Sequence, residues 1–267
     1  MIETTFTVTA VALYLLAGTG LALRLARVGP AMAARNLFLG LGGLGVLAHA
    51  VVVYQATFSG EHLDLSFFNA ASLIAWLMVA LMLLTTLRRP VENLGIALLP
   101  IAAVCVLLSR IFHAAPGAQP GYAPGVDAHI VLSIIAYSIL GIAAVQAVLL
   151  AVQDYHLRHR HPGGFIRMLP PLQTMEDLLF QMLWCGFAAL TLALLTGFVF
   201  LEDLFAQHLV HKTVLSIVAW LVFGTLLWGH RQFGWRGPKA IQLTLAGFAF
   251  LMLAYFGSKL VLEIILR

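Results

Sequence analysis

Between Ala128 and Gln153 the chain reads HIVLSIIAYSILGIAAVQAVLLAV, residues 129–152, without one Asp, Glu, Lys or Arg. At 1.5 Å rise per residue the run makes a helix of about 36 Å, enough to cross a hydrocarbon core of about 30 Å. Backbone groups in lipid must be satisfied within the segment, so a run of this length reads as a helix and not as a strand. Similar runs lie on both sides of it, at about 5–26, 34–57, 66–87, 93–112, 178–201, 210–230 and 239–266. The expectation is an all-α polytopic membrane protein: a bundle of eight transmembrane helices forming one domain over residues 1–267. No strong repeat, low-complexity tract or linker divides it.

Composition agrees. Apolar residues make up 61% of the chain, charged residues 10%, and mean hydropathy is +0.97. A soluble domain carries about 45–50% apolar and about 25% charged residues. A soluble globule, a disordered chain, a nucleic-acid module and a secreted disulfide scaffold are therefore excluded together. The net charge of +4 comes from basic residues in short loops, which points to the bilayer as partner and not to nucleic acid. Cys105 and Cys185 lie inside apolar runs and read as small buried hydrophobes. Met1-Ile2-Glu3 lacks a basic n-region, so no cleaved signal peptide is expected.

Lys and Arg set the orientation. One side carries Arg24, Arg27, Arg35, Arg88, Arg89, Arg158, Arg160, Arg167, Arg231, Arg236 and Lys239. The other carries Arg110, Lys212, Lys259 and Arg267. The richer side is expected to be cytoplasmic, which puts both termini on the non-cytoplasmic side.

The chain has ten histidines, many for so apolar a sequence. Polar groups at membrane depth are costly and mark function by default. His156, His159 and His161 fall in the cytoplasmic stretch between spans 5 and 6, where they read as a solvated basic loop or as a metal or lipid site. His62, His113, His129, His208 and His211 fall at the outer surface. His129 opens span 5 and His211 opens span 7, so they sit at one depth. Two imidazoles at one depth can hold one iron from opposite faces. Histidine is the common axial ligand of haem, and an apolar macrocycle suits a bundle pocket. The competing reading is that both are interfacial residues at helix starts. His49 lies about 20 Å from the inner edge of span 2, as a neighbour of the outer site or a buried hydrogen-bonding residue. His230 closes span 7 at the inner edge, as a second ligand site or an interfacial anchor. Trp220, nine residues beyond His211, packs either on a flat cofactor or in the core. Trp228 and Trp235 fit an interfacial belt.

No HExxH, GxSxG or P-loop is present. Gly40-Leu-Gly-Gly-Leu-Gly45 follows no strand and reads as a helix-packing surface, not a dinucleotide fingerprint. Intramembrane acids are nearly absent; Glu176 and Asp177 precede span 6. These absences favour a non-enzymatic protein without deciding it.

The helix HKTVLSIVAWLVFGTLLWGHR (211–231) with GWRG (234–237) resembles the cytochrome c assembly protein family, the CcsA, CcmC and HemX group. HIVLSIIAY (129–137) resembles that family's HVxxxxxxY helix, whose histidine is a haem ligand. SGEH (59–62) through SLIAW (72–76) resembles its SGHFPLSNLYESLxFLxW stretch, and YFG (255–257) its late-helix YFG. Order and length point to the short YpjD-like branch, a multi-pass protein of the bacterial inner membrane. The resemblance implies non-covalent b-type haem with His129 as a ligand; His211, at the same depth, is the expected second ligand, with His49, His230 and Trp220 as further cofactor-site candidates. Other cytochrome biogenesis or membrane proteins are the implied partners.

Departures limit that reading. FLEDLFAQHLV (200–210) stands where the family has a tryptophan-rich segment that presents haem outside the membrane. The family's final histidine has no counterpart; its position falls near Leu266. His211 occupies the place of a family proline, and His230 falls two residues off a family histidine. Haem binding follows more directly than haem delivery to apocytochrome c. The alternatives are a non-catalytic membrane partner or regulator that has lost the cofactor, and a small-solute transporter.

Overall fold

The computed structural model describes residues 2–26, 34–58, 63–112, 125–159, 169–200 and 210–260. Among them are eight long helices and no strand. They are α1 (Ile2–Leu25), α2 (Arg35–Phe58), α3 (Phe67–Thr86), α4 (Gly95–Ile111), α5 (Val126–Arg158), α6 (Leu172–Phe200), α7 (Val210–Phe233) and α8 (Pro238–Met252). A π-helical turn, Leu253–Gly257, and a last turn, Ser258–Leu260, continue α8. All eight are long and apolar enough to cross a membrane.

The chain divides into two compact units, Met1–Pro120 with Pro162–Pro170, and Gly121–His161 with Pro171–Arg267. In the first, α1 packs on α2 and α4, and α3 packs on the same two, closing a four-helix ring. Tyr14, Met82, Leu98 and Leu99 are fully buried in its core. One end is tied by Glu92, in the short 3-10 turn Glu92–Leu94. Its Oε1 accepts from Arg35 Nε at 3.1 Å and from an Arg24 guanidinium nitrogen at 3.4 Å. The ends of α1 and α2 are thus joined to the start of α4.

In the second unit, α5 packs on α6 and α8, and α7 packs on α6 and α8. Helices α5 and α7 therefore stand across the ring from each other, with α8 completing it. Tyr137 ties α5 to α8, its hydroxyl donating to the Leu251 carbonyl at 2.6 Å, just before the π turn. Gln146 ties α5 to α6, its amide donating to the Met175 carbonyl at 2.9 Å.

Helix ends differ from the hydropathy estimate. Helix α5 runs to Arg158, past the expected end at 152, and α6 starts at Leu172, before the expected 178. Apolar runs mark membrane depth, whereas hydrogen bonds mark helix ends. Here Arg158 pairs with Asp154 one turn back at 2.9 Å, stabilising the extra turn. His156 consequently sits on the last turn of α5, and Glu176 and Asp177 sit on α6. Cys105 is half-buried and Cys185 exposed, and both are free, so the buried reading fails for Cys185. It faces out of an apolar span, where lipid tolerates a thiol as readily as a core does.

Candidate functional site

His129 lies in the first turn of α5, half-buried. Its Nδ1–H donates to the Ala193 carbonyl of α6 at 2.7 Å. Thr196 Oγ donates to the same carbonyl at 3.0 Å. A carbonyl only accepts, so the Nδ1 proton is fixed and Nε2 carries the lone pair. That is how second-shell oxygens hold a ligating imidazole. Within HIVLSIIAY, then, the histidine grips α6 and Tyr137 grips α8.

His211 is the second residue of α7 and is exposed, with no hydrogen bond among the described residues. Helices α5 and α7 both precede a return helix, so His129 and His211 stand at the entry turns of helices that run the same way. They do not touch through a hydrogen bond. Further along α7, Trp220 donates its indole N–H to Thr191 Oγ at 2.9 Å, and its ring stacks on Phe187 at 5.5 Å and 20°. Helix α6 thus takes both the donor and one face of the indole.

His230 occupies the far end of α7. Its Nδ1–H donates to the Trp235 carbonyl at 2.9 Å, and its ring stacks on Phe180 at 3.5 Å and 16°. The turn that follows is held by Glu176, whose Oε1 accepts the Gly237 N–H at 2.7 Å.

His49 belongs to the first unit and is fully buried. Nδ1 meets the Tyr14 hydroxyl at 3.2 Å, and Nε2 meets Ser72 Oγ at 2.9 Å. One imidazole therefore joins α1, α2 and α3. Gly45, one turn earlier, makes room: a Cβ there would stand 2.7 Å from the Tyr14 ring.

The structure places His129, His211, His230 and Trp220 in one four-helix unit and His49 in the other. His156 and His159 donate Nδ1–H to the Val152 and Tyr155 carbonyls of their own helix. No group of three or more His, Cys, Asp or Glu side chains is arranged to hold a metal among the described residues. His62, His113, His161, His208, Leu266 and most of the 200–210 segment lie outside the described residues. Sequence reasoning missed Tyr14, Ser72, Thr191 and Glu92. Tyr14, polar and midway along an apolar span, was a visible signal. The others are common residues whose roles depend on rotation about the helix axis.

Residues 40–266 match the family described as Cytochrome C assembly protein. The chain is 37% identical over 211 residues to the Inner membrane protein YpjD of Escherichia coli K12, covering 78% of each. It is 33% identical over 198 residues to a 28.8 kDa protein of Azospirillum brasilense, covering 72% of this chain and 73% of that one. A more distant match is the Cytochrome c biogenesis protein CcsA of Gloeothece citriformis, 25% identical over 101 residues, 37% of this chain and 31% of that protein. No solved structure gives a significant match.

Proposed function

The chain belongs to the cytochrome c assembly protein family, and on that premise we propose that it binds and handles haem. It is a multi-pass inner-membrane protein, with eight membrane-length helices and a relative of that name. The observation that carries the proposal is the His129 imidazole. It is half-buried at a helix entry, its Nδ1–H is tied to Ala193, and its Nε2 has no hydrogen bond among the described residues.

The donor set fits the group. Neutral imidazole is the ligand form. His129 is held in the ligand tautomer, and exposed His211 is without a hydrogen bond that ligation would have to break. His230 has the same tautomer as His129 and, at the far end of α7, is a candidate for a separate ligand site. His49 fits less well, because both of its ring nitrogens are engaged inside the protein. Haem supplies an iron that cycles between ferrous and ferric states, and a Soret band. The chain's own part is to orient His129 through Ala193, whose carbonyl Thr196 also holds, and Trp220, packed on Phe187, is the aromatic candidate for the cofactor site.

The test is an absorption spectrum of the purified full chain, with and without dithionite. His129→Ala and His211→Ala each weaken the Soret band, and added imidazole partly restores it by filling the vacant coordination position. His156→Ala leaves it unchanged. Haem content that survives the His129 and His211 double substitution moves the site to His230 or His49, or removes it. The missing tryptophan-rich segment favours a second reading, a membrane partner without cofactor, and a wild-type protein with no Soret band selects it. The partners proposed from family membership are other cytochrome biogenesis or membrane proteins.

A further inference from the structure

The corner between α7 and α8 is built from large rings and cations that face outward. Trp228 is 56% exposed and Phe233 63% exposed. Their rings meet edge to face at 5.2 Å, and Phe233 stacks on Trp235 at 6.0 Å. Lys239 Nζ stands 3.5 Å above the Trp235 ring. The ladder Trp228, Phe233, Trp235, Lys239 is thus continuous. Arg231 and Arg236 are exposed beside it, and neither forms an ion pair among the described residues.

The corner is held in this shape from inside. His230 holds the Trp235 carbonyl, Glu176 holds the Gly237 amide, and the Trp235 ring lies against Gly229. Among the described residues Glu176 is an acid hydrogen-bonded to the corner, and its bond to Gly237 turns it inward. Basic residues elsewhere are treated differently. Arg24 and Arg35 share Glu92, and Arg158 is paired with Asp154. Arg88 and Arg89 are exposed, but no ring contact lies beside them among the described residues.

We infer that this corner is a binding site for the phosphodiester headgroup of an anionic phospholipid. Exposed rings at the end of a membrane-crossing helix fit the boundary between acyl chains and headgroups. Arg231 lies three residues past Trp228, about 4.5 Å further along the axis, at the depth of lipid phosphate. Three cations within residues 231–239, none of them in an ion pair among the described residues, complement a phosphodiester headgroup of net negative charge better than a zwitterionic one. The cation over Trp235 fixes one charge in place before lipid arrives. Phosphatidylglycerol is the simplest lipid with this chemistry.

The test uses the full chain in nanodiscs, with Trp76, Trp184 and Trp220 changed to Phe so that only Trp228 and Trp235 fluoresce. Phosphatidylglycerol brominated on its acyl chains is compared with brominated phosphatidylcholine at equal mole fraction. Quenching roughly two- to fivefold stronger by the anionic lipid is expected. Arg231→Gln with Arg236→Gln and Lys239→Gln removes the difference, whereas Arg88→Gln with Arg89→Gln keeps it. Equal quenching by the two lipids overturns the inference without any variant. So does a preference unaltered in the triple variant, or one abolished by millimolar glycerol phosphate, which reads phosphate and not lipid. None of these outcomes depends on haem.

Discussion

Glu176 Oε1 accepts the backbone N–H of Gly237 at 2.7 Å, across 61 residues of sequence. Gly237 has φ +57° and ψ −133°, which only glycine adopts without strain, and it precedes Pro238 at the first position of α8. A carboxylate on α6 therefore fixes where α8 begins and satisfies an amide next to its positive end. Glu176→Ala is expected to destabilise by about 1.5–3 kcal/mol, the cost of a lost charge-assisted hydrogen bond. Gly237→Ala is expected to cost about 1–3 kcal/mol from backbone strain. Thermal unfolding midpoints in detergent check both, and a wild-type midpoint in either variant counts against the assignment.

His49 is predicted to be structural. Replacing it with Ala strands the Tyr14 hydroxyl and Ser72 Oγ in the core of the first unit, at about 1–3 kcal/mol. Gly45→Ala should act in the same direction, because its Cβ would displace the Tyr14 ring. The informative readout is haem content measured beside stability. His49→Ala is expected to lower the melting point while leaving haem per protein unchanged; loss of haem at unchanged stability would make it a ligand.

Glu92 joins three helix ends, yet its side chain and that of Arg24 are only partly buried, 19% and 28% exposed. Solvent screening keeps such pairs weak. Glu92→Gln is expected to cost about 1 kcal/mol, a small drop in melting point that shrinks further in high salt. A loss several times larger would mean that the pair is drier than its exposure indicates.

Sidedness is predicted from the Lys and Arg split, eleven against four. Reporter fusions at residues 160 and 205 should report opposite compartments, with 160 cytoplasmic. Both reporters on one side would break the eight-span topology between α5 and α7.

The sequence alone determined that the chain is a multi-pass membrane protein with eight helices long and apolar enough to cross a bilayer. Transfer of an apolar run into lipid depends only on its length and composition, and α2, α3 and α7 begin and end within a few residues of their apolar runs. It also singled out the histidines, because residue type is enough to mark a polar group as costly at depth. Tertiary structure decided what each of them does. Hydropathy carries no information about rotation around a helix axis or about which atom meets which across a packed pair. Hence His49 proved to be a fully engaged three-helix staple, His129 a ring with one nitrogen tied to Ala193, and His230 the support of a surface corner. The reach of α5 to Arg158, the place of Glu176 on α6, and the position of α8 between α5 and α7 follow from hydrogen bonds and packing, which no apolar run encodes.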